Sequence, residues 1–248
     1  MSDDSATPAS SGPAASGPAS PSSAANRASV HLSTTSREIP LQPGRVALLF
    51  IDVQNWSTHR DGGEFTELDA ETLQRDYRYY FDRLERTALP NMQRLQAACR
   101  AAGIEVMYTT IESLTLDGRD RGLDYKISGF HVPKGSWDAK VLDAIAPQGD
   151  EIVLPKSSSS VFVSTHIDYV LRNLGVAQLI LCGVVTDQCV ESAVRDACDL
   201  GYLVTLVPDA CATMTAERHD NSLRTIKGYC RQRDTDVLIA EIESMAQG

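Results

Sequence analysis

Apolar positions along the chain fall into short continuous runs separated by longer stretches of helical periodicity. Val46 to Ile51 is an unbroken apolar run ending on Asp52, and predicts a central parallel strand buried on both faces. Further strands are predicted at Ile104 to Thr109, Glu151 to Leu154, Gln178 to Val184 and Tyr202 to Val207, with a last short one near 229–233. Between them, the charged and Tyr-rich stretch 56–90 leads into a helix through Met92, Leu95 and Cys99, stopped by Gly103. Ser164 or Thr165 is predicted to cap a helix running to Leu174. Thr186 or Asp187 is predicted to cap a second, ended by Gly201. Residues 215–227 and the segment from about 235 read as helical, and 112–150 reads as a long connection rich in Gly and Asp. No internal repeat is apparent.

About six strands alternating with helices predict an α/β fold, a three-layer doubly wound parallel sheet with helices on both faces. In such sheets a ligand binds off the carboxyl ends of the strands. Residues 1–37 have another character, being Ser, Ala, Pro and Gly with few large apolar residues. They predict a disordered tail ahead of one domain over 38–248. The tail lacks the basic start and apolar centre of a secretory signal, although Arg27 and Arg37 leave an organellar reading open.

The 248 residues, 42% of them hydrophobic, suffice for one domain with a sizeable core. A formal net charge of −10 argues against nucleic acid and anionic membranes as partners, because both are held by basic patches. No apolar run reaches membrane-spanning length. The six cysteines form no C-x-x-C pair, which fits reduced thiols in a cytoplasmic protein better than a disulfide framework.

Three polar residues follow apolar strands at the predicted carboxyl edge: Asp52, Lys156 and Cys189. Singly, each has an ordinary reading, as a turn residue, a solvated surface charge and a small buried side chain. Together they describe a nucleophilic site. Cys189 sits in the first turn of a helix just past a buried strand, where free N–H groups and the helix dipole favour a thiolate. Asp52 is then the base for the thiol, Lys156 the charge that stabilises both, and backbone N–H groups at the helix start the oxyanion donors. The five histidines show no pattern associated with a nucleophile. No H-E-x-x-H, Cys/His cluster or phosphate-binding loop occurs, so neither metal nor cofactor is expected.

The runs Leu48 to Asn55, Leu154-Pro155-Lys156 and Gly183 to Ser192 resemble those of the isochorismatase-like cysteine hydrolases. So does the K-x5-F-x2-T-x2-D spacing of Lys156, Phe162, Thr165 and Asp168. The resemblance covers roughly Arg45 to Asp220. It implies an Asp-Lys-Cys triad at Asp52, Lys156 and Cys189. It also implies a cis peptide at Val184–Val185 that turns the Val185 N–H toward an oxyanion beside that of Cys189. Isochorismatases proper lack the cysteine, so Cys189 points to C–N bond hydrolysis. Nicotinamidases carry a metal-binding D-x-H element that does not occur here. Lys134 to Asp138 and Cys189 to Ser192 look most like ureidoacrylate amidohydrolases, then biuret-type hydrolases. The 112–133 and 56–86 segments depart from them.

The expected activity is a cysteine-dependent amidohydrolase that cleaves a small ureido or carbamoyl compound through a thioester-type intermediate. Alternatives are a plain carboxamide or vinyl-ether hydrolase, or a non-enzymatic binding or assembly protein on the same fold. Asn55 fits either an orienting group for Asp52 or substrate, or a turn residue. Trp137 and Phe162 fit pocket walls or core packing. Tyr125 and Lys126 fit substrate contacts or a solvated loop. Arg195 and Asp196 read as an ion pair or subunit contact. The resemblance implies a homodimer or homotetramer, for which the apolar faces of the Cys189 helix and of 165–174 are available.

Overall fold

A computed structural model describes residues 36–247, so the tail expectation lies outside the described residues apart from its last two positions. The strands are β1 (Val46–Ile51), β2 (Glu105–Ile111), β3 (Ile152–Lys156), β4 (Gln178–Val184), β5 (Leu203–Ala212) and β6 (Arg231–Gln232). All pair in parallel, in the order β3-β2-β1-β4-β5-β6. The chain moves outward from β1 to β3, then crosses back to β4 and moves outward the other way. That reversal puts a crevice between the carboxyl ends of β1 and β4.

The helices are α1 (Asn55–Thr58), α2 (Ala70–Asp76), α3 (Arg78–Arg83), α4 (Leu89–Ala101), α5 (Leu123–Ile127), α6 (Val161–Ser164), α7 (Ile167–Asn173), α8 (Glu191–Asp199), α9 (Ala216–Ile226) and α10 (Thr235–Gln247). Right-handed crossovers require the helices between β1 and β2 to cover one sheet face and those connecting β3 through β6 to cover the other, while α10 follows the last strand and is not a crossover. Accordingly α4 packs with α10 and the sheet, and α8 packs with β5, α6 and α9. All of β1 and β4 is buried, as expected for central parallel strands.

Several boundaries differ from the sequence reading. The helix through Met92 begins at Arg78, with a π-helical turn over Leu84–Ala88. Pro90 follows that turn and lacks the N–H an unbroken α-helix would use, so the wider turn absorbs the defect. β5 runs five residues past Val207 to Ala212. Lys156 is the last residue of β3 rather than part of a loop after it.

Neither predicted cap at 164–165 or 186–187 sits at the N-cap position. Ser160 caps α6, His166 precedes α7 with Thr165 Oγ1 accepting from the Ile167 N–H at 3.1 Å, and Val185 precedes the turn that carries Cys189. Thr186 and Asp187 have tertiary partners instead, His219 for the first and Thr213 and Arg218 for the second. Arg195 pairs with Glu191 one turn away, while Asp196 accepts from Ser160, so the expected pairing of Arg195 with Asp196 is not formed. Ala193, Val194 and Ala197 of α8, and Ile167 and Leu171 of α7, are buried in the chain's own core.

Candidate active site

Each chemical residue is held at the sheet edge by a specific backbone feature. Asp52 follows β1 with φ of 55°, a left-handed conformation unusual for a non-glycine residue. Its N–H donates to Thr109 O at 3.1 Å, and Thr109 Oγ1 donates to Asp52 Oδ1 at 2.7 Å. β2 thus fixes the carboxylate from the side. Gly183 permits the close approach of β4, since a Cβ there would stand 2.2 Å from Ile51 O. The Val184–Val185 peptide that follows is cis, where the resemblance had put it. The chain then enters a π-helical turn, Thr186–Val190, which continues as α8 and presents Cys189 from its first turn.

Lys156 comes from β3, two strands away from β1. Adjacent strands are spaced by about 4.8 Å, so only a long side chain crosses β2 to reach Asp52. It does so fully buried. Its Nζ stands 2.8 Å from Asp52 Oδ2, 3.4 Å from Cys189 Sγ, and donates to Ser158 O at 2.8 Å and Tyr125 Oη at 3.2 Å. Burial alone lowers the ammonium's pKa, but the interaction with Asp52 works against it and the net shift is upward, so Lys156 is cationic. A buried cation without such partners would be prohibitively costly, which is why the solvated-lysine reading fails here.

The thiol behaves differently from the sequence expectation. Burial pushes the Cys189 pKa up to about 12, and Asp52 beside it pushes the same way, against the lowering effect of Lys156. Cys189 is thus held toward its thiol form between Asp52 and Lys156. The helix-start argument omitted the desolvation that comes with placing sulfur under the strand edge.

Asp52, Val184, Val185 and Cys189 open into one cavity of about 280 Å³. Its other walls come from Trp56, Ser57, Glu64, Tyr77, Ile111, Phe130, Gln188, Met214 and Arg218. Tyr125 belongs to the buried cluster, with Oη 3.9 Å from Cys189 Sγ, not to a solvated loop. The remaining sequence candidates lie elsewhere. Asn55 is buried and ties Nδ2 to Trp137 O at 3.0 Å, so it braces two loops. Trp137 is 46% exposed and meets only the edge of His59, outside the cavity and outside the core. Phe162 packs near Tyr202 at the other side of α6.

Sequence reasoning missed Thr109, Gln54 and the cavity walls. Gln54 joins β2 to the long connection, through Nε2 to Ile111 O at 2.9 Å and to Asp138 O at 3.0 Å. Its place two residues after Asp52 was the one available signal. His219 is also part of the support. Arg83 donates to Nε2 at 2.8 Å, which leaves Nδ1–H to donate to Thr186 Oγ1 at 2.9 Å. Burial and the Arg83 charge lower its pKa to about 4, so it is a neutral brace under the nucleophile turn. Among the described residues, no three His, Cys, Asp or Glu side chains converge as a metal set.

An acid, a cation and a thiol at the switch point of a six-stranded parallel sheet define a cysteine-hydrolase type of site. Residues 46–236 match the isochorismatase domain model, and the chain belongs to the isochorismatase family of hydrolases. It is 28% identical over 199 residues to ureidoacrylate amidohydrolase RutB of Rhizobium rhizogenes, covering 73% of this chain and 76% of that protein. Against RutB of Acinetobacter baylyi it is 27% identical over 215 residues, covering 80% and 83%. Among solved structures, a cysteine hydrolase from Pseudomonas syringae pv. phaseolicola superposes with a TM-score of 0.72 at 27% identity, covering 84% of this chain and 96% of that one.

Proposed function

We propose that this hydrolase is a cysteine-dependent amidohydrolase that cleaves a C–N bond in a small ureido or carbamoyl compound. The observation that carries the reading is the buried Lys156 ammonium, 2.8 Å from Asp52 and 3.4 Å from Cys189, both of which line a small cavity. Its similarity to the ureidoacrylate amidohydrolases favours C–N chemistry.

In this mechanism Asp52 takes the Cys189 proton as sulfur attacks the substrate carbonyl. Lys156 keeps the local charge balanced while the thiolate forms. The carbonyl oxygen becomes an oxyanion met by the Val185 and Cys189 N–H groups. Collapse of the tetrahedral species breaks the C–N bond, and Asp52 returns its proton to the departing nitrogen, which leaves as ammonia or an amine. Asp52 then removes a proton from water, which attacks the thioester (a thiocarbamate for a ureido substrate). Sulfur leaves and is reprotonated, releasing the acid or carbamate.

No metal or cofactor has a step in this sequence. All six cysteines are unpaired, which supports a reducing compartment such as the cytoplasm. Ammonia release from a panel of ureido acids, biuret and simple amides tests the reading. Turnover is expected for at least one ureido member and lost in Cys189→Ala, whereas intact turnover in that variant overturns the mechanism.

A further inference from the structure

The cavity lining holds one carboxylate that the mechanism does not use. Glu64 lies in the loop between α1 and α2, and its side chain has no hydrogen-bond or ion-pair partner among the described residues. Its backbone is tightly placed. The Glu64 N–H donates to Trp56 O at 3.2 Å, and the Gly63 N–H donates to Asp138 Oδ1 at 3.0 Å. A Cβ on Gly62 would stand 2.2 Å from Asn55 O and 2.3 Å from Trp56 O, so only glycine lets the loop lie against α1. Next in sequence, Phe65 is buried and meets Tyr77 and Phe81 edge-on, with ring centroids 5.2 and 5.1 Å apart. A carboxylate carried on a backbone held in this way, lining the cavity and given no protein partner, is set up for a ligand.

The remaining charges of the cavity are already matched. Asp52 is paired with Lys156, and Arg218 Nε donates to Asp187 Oδ2 at 2.6 Å. Glu64 is therefore the unmatched charge of the lining. It shares the cavity with Trp56, Tyr77 and Phe130, whose ring faces favour cations. Burial of the empty site pushes its carboxyl up to about 7, the direction that an incoming cation would reverse.

We propose that Glu64 is a specificity-determining residue that pairs with a cationic nitrogen of the substrate. The substrate class, given the amidohydrolase reading on which this rests, is a small ureido or carbamoyl compound bearing an ammonium or guanidinium group, in preference to one bearing a free carboxylate. The chain thereby parts from ureidoacrylate-type acids while keeping the same reaction.

Three ureas of matched length distinguish the cases: aminobutylurea, butylurea and ureidopentanoic acid. Binding is measured by calorimetry on the full-length Cys189→Ser protein, and turnover by ammonia release from the parent protein. Aminobutylurea is expected to bind about tenfold or more tighter than ureidopentanoic acid. Adding Glu64→Gln should remove that preference and change butylurea binding less than about twofold, while Glu64→Asp keeps the preference in part. Tighter binding of the acid, or an unchanged preference in a folded Glu64→Gln protein, overturns the assignment. Absence of ammonia from all three ureas and the wider panel counts against the amidohydrolase reading, and the binding comparison still decides the role of Glu64.

Discussion

The two halves of the cavity are built by different means. One half is the edge of the sheet, where Asp52, Lys156 and Cys189 hang from β1, β3 and the turn after β4. Strand register and burial leave these side chains little freedom. The other half is loop and short helix, from Asn55 to Tyr77 and around Phe130, joined by aromatic contacts such as Trp56 with Phe130 at 4.9 Å. In the proposed reading the sheet edge carries the chemistry and the loop half selects what reaches it. Loops accept substitution without disturbing a sheet, so one reaction can be retained while the substrate changes.

The most damaging changes should fall on the sheet edge. Asp52→Asn keeps the shape but removes the base, and turnover should fall by about 10³-fold or more in steady-state ammonia release. Lys156→Met should cost activity and stability together. It leaves a buried carboxylate without its cation, a loss of about 3–5 kcal/mol. For a domain of this size that lowers the melting temperature by roughly ten degrees, readable by calorimetry. If Lys156→Met melted like the parent, the ion pair would not be the anchor assigned to it.

Smaller effects sharpen the boundary between the halves. Tyr125→Phe removes the hydroxyl that accepts from the Lys156 ammonium, and kcat should fall about tenfold with the fold intact. Trp137→Ala should change kcat/KM less than about twofold, because its ring is exposed and outside the cavity. A larger loss from Trp137→Ala than from Tyr125→Phe would mean that the wall has been drawn in the wrong place.

Legibility in the sequence follows the same division. The central strands were readable because burial on both faces writes a continuous apolar run, and β4 has the predicted limits of Gln178 and Val184. Asp52 and Lys156 were readable as candidates because they stand directly after, or at the end of, such a run, and Cys189 because it lies in the turn that follows one. Asn55, Trp137 and Phe162 stayed open between pocket and turn or core roles, because sequence does not say which way such a side chain faces. Glu64 was invisible for the complementary reason. It is one acid in a charged stretch, and its significance arises from Gly62 and Gly63 pressing that loop onto α1. Thr186 and Asp187 looked like caps because local capping is the only role a sequence window displays, whereas their partners lie 26 to 33 residues away. The thiol's upward shift was likewise hidden, since burial is a property of the packed sheet edge.

The central claim is that Cys189 becomes covalently bonded to the substrate carbonyl carbon. Acid-quenching the parent protein and Asp52→Asn during turnover of a slow ureido substrate, followed by peptide mass spectrometry, tests it most directly. The account predicts a carbamoyl or acyl mass addition on the peptide containing Cys189 and on no other cysteine. Ammonia production with Cys189 unmodified throughout, and undiminished in Cys189→Ala, would contradict it.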